Sequence, residues 1–173
     1  MIYGVNKRDK KMAEIRLCGI DASTKKTGMA FMKNGYLDSY ELLDCSSISD
    51  REERLATMCK DIVIRLKAFS PTIVYIEDSW NAANVDVTKL LTKIMGVVYG
   101  WCLENNVEYH DILPSQWRKY AGITQGKKKR SELKEASINY VKEHYNIDVN
   151  DDVADSIALA DSVVNYFNIL ELE

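Results

Sequence analysis

The sequence predicts an α/β fold: a mixed five-stranded sheet, made of a three-stranded meander plus two parallel strands, flanked by helices on both faces. Three observations point to it. The apolar run EIRLCGID is followed by TGMAFMKNGYLDSYELL, two strand-like segments joined at Asn34-Gly35, a strong hairpin dipeptide. TIVYIE is a short, continuously apolar, β-branched run of the kind buried in a parallel sheet. Segments of helical period between and after the strands supply the crossovers and cover the sheet.

The first strand ends near Asp21, where the apolar run gives way to the polar turn STKKTG. The hairpin strands come next. Residues 50–69 carry Leu55, Met58, Ile62 and Leu66 at helical spacing, and Ser70-Pro71 closes that helix. TIVYIE, the fourth strand, ends on Glu77. A second amphipathic helix covers about 86–104, and NVEYHDI makes the fifth strand. Pro114 opens a short helical turn around SQWRKY, and helices near 128–145 and 151–168 follow. The chain shows no internal repeat and no low-complexity linker, so residues 15–173 are expected to form one domain. Residues 1–14 read as a flexible extension, with Met12 a plausible alternative start.

Composition narrows the function classes. A chain of 173 residues suits one domain with a real core. Cys18, Cys45, Cys59 and Cys102 lie far apart, and His110 and His144 have no partner at ligand spacing, which argues against a zinc site or a disulfide framework. No run approaches about 18 apolar residues, and MIYGVNKRDKKMAEIR lacks the apolar core of a signal peptide. A cytoplasmic protein with no membrane partner is expected. The net charge of −3 disfavours nucleic acid as an average, but the charge is uneven. Arg118, Lys119, Lys127, Lys128, Lys129, Arg130 and Lys134 form a basic stripe interrupted by one acid, Glu132. Such a stripe in an acidic protein is a candidate electrostatic footprint, although a solvated helix face gives the same pattern.

The stretch NDDVADSIALA, residues 150–160, crowds three aspartates at the entrance to an apolar helix. Asn150 can cap it, and Asp151 and Asp152 suit the positive end of the helix dipole, at about 0.3–1 kcal/mol each. Asp155 lies beyond the first turn. It shares a face with Asp152 at i, i+3 and with Asp151 at i, i+4, and is repelled by both. Asp21 and Glu77 each terminate an apolar strand. If those strands are parallel neighbours, both carboxylates emerge at one end of the sheet, and a helix crossing that end adds Asp152 and Asp155. Crowded carboxylates raise one another's pKa unless cations neutralise them. Oxygen donors without Cys or His favour Mg²⁺ or Mn²⁺. Two such ions about 3.5–4 Å apart stabilise the attacking and leaving oxygens of an in-line phosphoryl displacement. Beside a basic, aromatic-bearing stripe that can hold a phosphate backbone, this pattern points to metal-dependent phosphodiester cleavage.

GIDAST-KKTGMA, IED-SW, LPSQWRKYAG and DDVADSIALA, in this order over residues 15 to 168, resemble the RuvC family of Holliday-junction resolvases within the ribonuclease-H-like fold, in particular its phage-type members. The resemblance implies a homodimer that nicks two opposed strands of a four-way DNA junction symmetrically, leaving 5′-phosphate and 3′-hydroxyl ends. It implies two Mg²⁺ ions per active site, replaceable by Mn²⁺. It carries the metal-binding and catalytic roles onto Asp21, Glu77, Asp152 and Asp155, with Asp151 an extra neighbour that the motif alone does not fully separate from Asp152. Trp80, three residues after Glu77, falls where the family often carries an aromatic that interferes with base stacking; a core tryptophan is the other reading. The family's basic residues correspond loosely to Arg118 or Lys119 and to one of Lys127 to Arg130, while Lys134 extends the stripe. The helix over 86–104 supplies the family's dimer contact, here expected from Leu91, Ile94, Met95 and Val98.

Three rival readings remain. GIDASTKKTG also looks like the phosphate loop of actin and sugar-kinase ATPases, but those need a second similar domain, so no nucleotide cofactor is expected. A nuclease of the same fold acting on flaps or other branched DNA would carry identical carboxylates. A non-cleaving junction-binding architectural protein would be expected to lack one of them.

Overall fold

A computed structural model describes residues 14–78, 85–123 and 129–167. β1 (Arg16–Asp21), β2 (Lys26–Lys33) and β3 (Tyr36–Asp44) form an antiparallel meander. Asn34 and Gly35 both take positive φ, 48° and 80°, the backbone twist a two-residue hairpin needs. α1 (Arg51–Phe69) crosses to β4 (Ile73–Glu77), and α2 (Val85–Glu104) crosses to β5 (Glu108–Ile112). β1 pairs in parallel with β4, and β4 with β5, giving the order β3-β2-β1-β4-β5. α3 (Pro114–Tyr120), α4 (Arg130–Tyr145) and α5 (Asp151–Phe167) follow. This is the mixed sheet that the sequence predicts.

Local chemistry sets the helix ends. Asp50 Oδ1 accepts from the Glu53 N–H at 2.8 Å, and Ser70, at φ 52°, ends α1 ahead of Pro71. The buried stripe of α1 is Leu55, Met58, Ile62 and Leu66, as the spacing requires. α1 and α2 pack on one face of the sheet over Cys18, Ile20, Val74 and Ile76. α3, α4 and α5 cover the other face, over Leu17, Ala30, Met32 and Tyr75.

α5 is the centre of that second core: every residue from Val153 to Val164 is buried. Two glycines let it approach the sheet. A Cβ on Gly19 would stand 2.8 Å from Ala160 Cβ, and one on Gly28 would stand 2.0 Å from the Asp152 carbonyl oxygen. Buried Asp161 accepts hydrogen bonds from the Tyr140 and Tyr145 hydroxyls, which ties α4 to α5 and satisfies a charge that burial would otherwise penalise.

α2 corrects one expectation. Ile94 and Val98 are fully buried in this chain's own core, with Leu90, Trp101 and Cys102, and are not available to a dimer partner. The apolar width of the helix is divided between two sides. Leu91 and Met95 lie half-buried at the edge of the core, and the solvent side carries Thr92, Gly96, Tyr99 and Leu103. Trp80, Lys127, Lys128 and the expected extension up to residue 13 lie outside the described residues. Among the described residues no helix is long and apolar enough to cross a membrane.

Candidate active site

Parallel pairing puts the C-terminal ends of β1 and β4 side by side, and these ends carry Asp21 and Glu77. Asp21 pairs in register with Gly28 of β2, and the missing side chain there admits the first turn of α5. Asn150 Oδ1 caps that turn by accepting from the Val153 N–H at 3.0 Å. Asp152 and Asp155 arrive on it. All four carboxylates line one cavity of about 250 Å³, walled also by Arg118, Arg130, Leu133 and Lys134. Asp151 does not line the cavity; it pairs with Lys134. Lys119 and Lys129 are exposed and lie outside the cavity wall.

The crowding is electrostatically costly. Burial pushes Asp21 well above the usual carboxylate range, and Glu77, Asp155 and Asp152 push it further, against Arg118. Burial raises Glu77 while Arg118 and the Trp117 indole pull it down. Asp152 is raised by burial and by Asp151, and Asp155 by burial against Ser137 and Arg118. Arg118 Nη2 bridges the pair, 3.4 Å from Asp155 Oδ2 and 4.0 Å from Glu77 Oε2. Trp117, fully buried on α3, donates its indole N–H to Glu77 Oε2 at 2.8 Å.

Trp117 and Ser137 are contributions that the motifs do not reveal. LPSQWRKYAG holds an aromatic beside two cations, but nothing in the sequence says that its ring nitrogen reaches a carboxylate forty positions away.

The donor set fits a hard divalent cation. It is all oxygen, its members are burdened by one another's charge, and the buried Asp155 Oδ1 has no hydrogen-bond partner. Among the described residues no three acidic, His or Cys side chains close on a single point as an ion's ligands. Arg118 Nη2 stands between Glu77 and Asp155.

A mixed sheet of this order, with carboxylates at the ends of β1 and β4 and on a helix laid across them, places the chain in the ribonuclease-H-like fold class. The family model for crossover junction endodeoxyribonuclease RuvC matches residues 17–162, and the chain belongs to that family, whose members depend on divalent metal ions. RuvC of Caldicellulosiruptor saccharolyticus is 25% identical over 152 residues, which are 84% of this chain and 90% of that protein. RuvC of Nitratidesulfovibrio vulgaris is 26% identical over the same shares. Among solved structures, Thermus thermophilus RuvC in complex with Holliday junction substrate superposes with a TM-score of 0.70 at 16% identity, over 90% of this chain and 96% of that one. The yeast mitochondrial Holliday junction resolvase gives a TM-score of 0.58 at 16% identity, over 91% of this chain and 83% of that one. These two likenesses concern the fold.

Proposed function

We propose that this chain is a crossover junction endodeoxyribonuclease that works as a homodimer and resolves four-way DNA junctions by paired symmetric nicks. The observation that carries the reading is the meeting of Asp21, Glu77, Asp152 and Asp155, from three distant segments, in one cavity faced by Arg118, Arg130 and Lys134. Family membership supports the reaction class, and the junction named for the relatives supports the substrate.

The four carboxylates would hold two Mg²⁺ ions, with Mn²⁺ able to replace them, and these ions would supply an activated water and neutralise charge on the scissile phosphate. Trp117 fixes the orientation of Glu77 through its indole N–H. Arg118 Nη2 balances charge on Glu77 and Asp155. Arg130 and Lys134 face an incoming phosphate from the cavity wall, and exposed Lys119 and Lys129 extend the positive track along the strand. No nucleotide cofactor takes part, and the cytoplasm is the working compartment. Residues 15–173 act as one resolvase domain.

The dimer contact moves from Ile94 and Val98 to the outer side of α2. There Met95, Gly96 and Tyr99 join Tyr109 of β5 around a largely apolar hollow of about 590 Å³, with the two tyrosine rings 5.2 Å apart. Leu103, 62% exposed, continues the patch. A two-fold dimer matches a two-fold junction and brings two cutting sites to it.

The test is gel cleavage of a labelled synthetic four-way junction beside flap, Y-shaped and linear duplexes, with Mg²⁺, Mn²⁺ or EDTA. Paired nicks that need metal and vanish in Asp21→Asn are expected. Equal cutting of every branched substrate would leave a broader branched-DNA nuclease, and tight junction binding without cutting would leave an architectural protein.

A further inference from the structure

Lys134, in the second turn of α4, contacts Asp151 at the start of α5. The two play different parts: Lys134 lines the carboxylate cavity and Asp151 does not. Successive helical side chains point about 100° apart. Asp151 therefore reaches toward α4, while Asp152 faces the cavity. Lys134 is close enough to influence both Asp152 and Asp155. An ammonium on a flexible four-carbon stem has three donors and seeks carboxylates. Arg118, whose guanidinium lies over the Trp117 ring, shows that a cation in this cavity is drawn to the carboxylates: its Nη2 stands 3.4 Å from Asp155 Oδ2 and 4.0 Å from Glu77 Oε2.

We propose that Asp151 is a positioning residue: it tethers Lys134 at the cavity rim, keeping the ammonium off Asp152 and Asp155 so that both stay free for a divalent cation. The inference rests on the metal reading above. It gives the third aspartate of the helix entrance a role of its own, exerted through Lys134. The tether uses one of the three lysine donors and leaves the others available to the phosphate backbone.

Calorimetric titration of Mn²⁺ into the full chain without DNA tests it, with Asp151→Asn, Lys134→Gln, the double variant and Asp151→Glu. In the wild-type background Asp151→Asn is expected to weaken Mn²⁺ binding about fivefold, and in the Lys134→Gln background by less than about 1.5-fold, because the two residues act as a unit. Asp151→Glu, which keeps the charge, is expected to restore the affinity. If the Asn variant folds poorly, Asp151→Ser keeps the helix-start chemistry and repeats the cycle. Equal weakening in both backgrounds would mean that Asp151 acts as a bystander charge, and no weakening would mean that it does not act at all. Either result overturns the tether alone. No Mn²⁺ binding by the unsubstituted chain would overturn the metal reading and the tether with it.

Discussion

Replacing Gly28 with alanine tests whether the approach of α5 to β2 sets the active site. The new Cβ would lie 2.0 Å from the Asp152 carbonyl oxygen and 2.6 Å from its carbonyl carbon, where ordinary contact begins at 3.4 Å. The shortfall is 3.4 − 2.0 = 1.4 Å, and the atoms met are backbone, so a strand or a helix turn has to move as a body. Overpacking of this kind costs about 1–3 kcal/mol. At about 2–4 °C per kcal/mol for a domain near this size, Tm falls by about 2–12 °C. The displacement falls on Asp152, one of the four carboxylates of the candidate site, one turn from Asp155. A misplacement of about 1 Å costs on the order of 10²-fold in rate, so junction nicking at saturating Mg²⁺ is expected to drop at least that far. The assay is a junction-nicking time course paired with a thermal melt. Gly100→Ala, with no atom within 4 Å of its Cβ, calibrates the melt and is expected to hold or raise Tm. Wild-type nicking and Tm in Gly28→Ala would refute the reasoning that this glycine registers Asp152 against Asp21.

The raised carboxylates predict a pH-dependent stability. Asp21, Glu77, Asp152 and Asp155 bind protons more readily folded than unfolded, so metal-free stability falls as pH rises from the ordinary carboxylate range through their raised values. Melts in EDTA should show Tm rising on mild acidification from neutral pH, and Asp21→Asn should flatten that slope; a wild-type slope in the variant counts against it. Asp21→Asn should also lower nicking by roughly 10³-fold or more while raising Tm in EDTA, since it removes a buried charge crowded by three other carboxylates and only partly offset by Arg118. Trp117→Phe deprives Glu77 of its indole donor, 2.8 Å away, and should cost about 1–3 kcal/mol in a melt, with kcat falling more than KM rises. Leu103→Glu should shift sedimentation toward monomer with Tm nearly unchanged, whereas Ile94→Ala should cost about 2–5 kcal/mol of protomer stability instead. Dimer loss in Ile94→Ala at full stability would reverse that assignment.

Local signals carried most of the fold. Asn34-Gly35, the continuous β-branched TIVYIE and the stripe Leu55, Met58, Ile62 and Leu66 each depend on interactions within a few residues, so their meaning survives without tertiary structure. The site was legible as far as carboxylates at strand ends and at a helix entrance could be placed by topology. What stayed hidden depends on a neighbour from far along the chain. Trp117 reads as any core tryptophan until Glu77 is found beneath it. Gly28 signals a close approach without saying to what. Ile94 and Val98 share a helix with outward-facing apolar residues, and periodicity alone does not say which side meets the sheet. Asp151 and Asp152 are neighbours of the same type, separated only by the lysine that one of them meets.

α5 is at once the hub of one hydrophobic core and the carrier of Asp152 and Asp155, and it follows every strand in the sequence. A nascent chain emerging from the ribosome therefore exposes Asp21 and Glu77 long before their partners exist. The same helix whose docking completes the fold also brings Asp152 and Asp155 to the cavity that Asp21 and Glu77 line. Any excursion that frees α5 from the sheet parts the two pairs of carboxylates in the same motion. Under the proposed function, incomplete synthesis and partial melting both leave the four carboxylates apart.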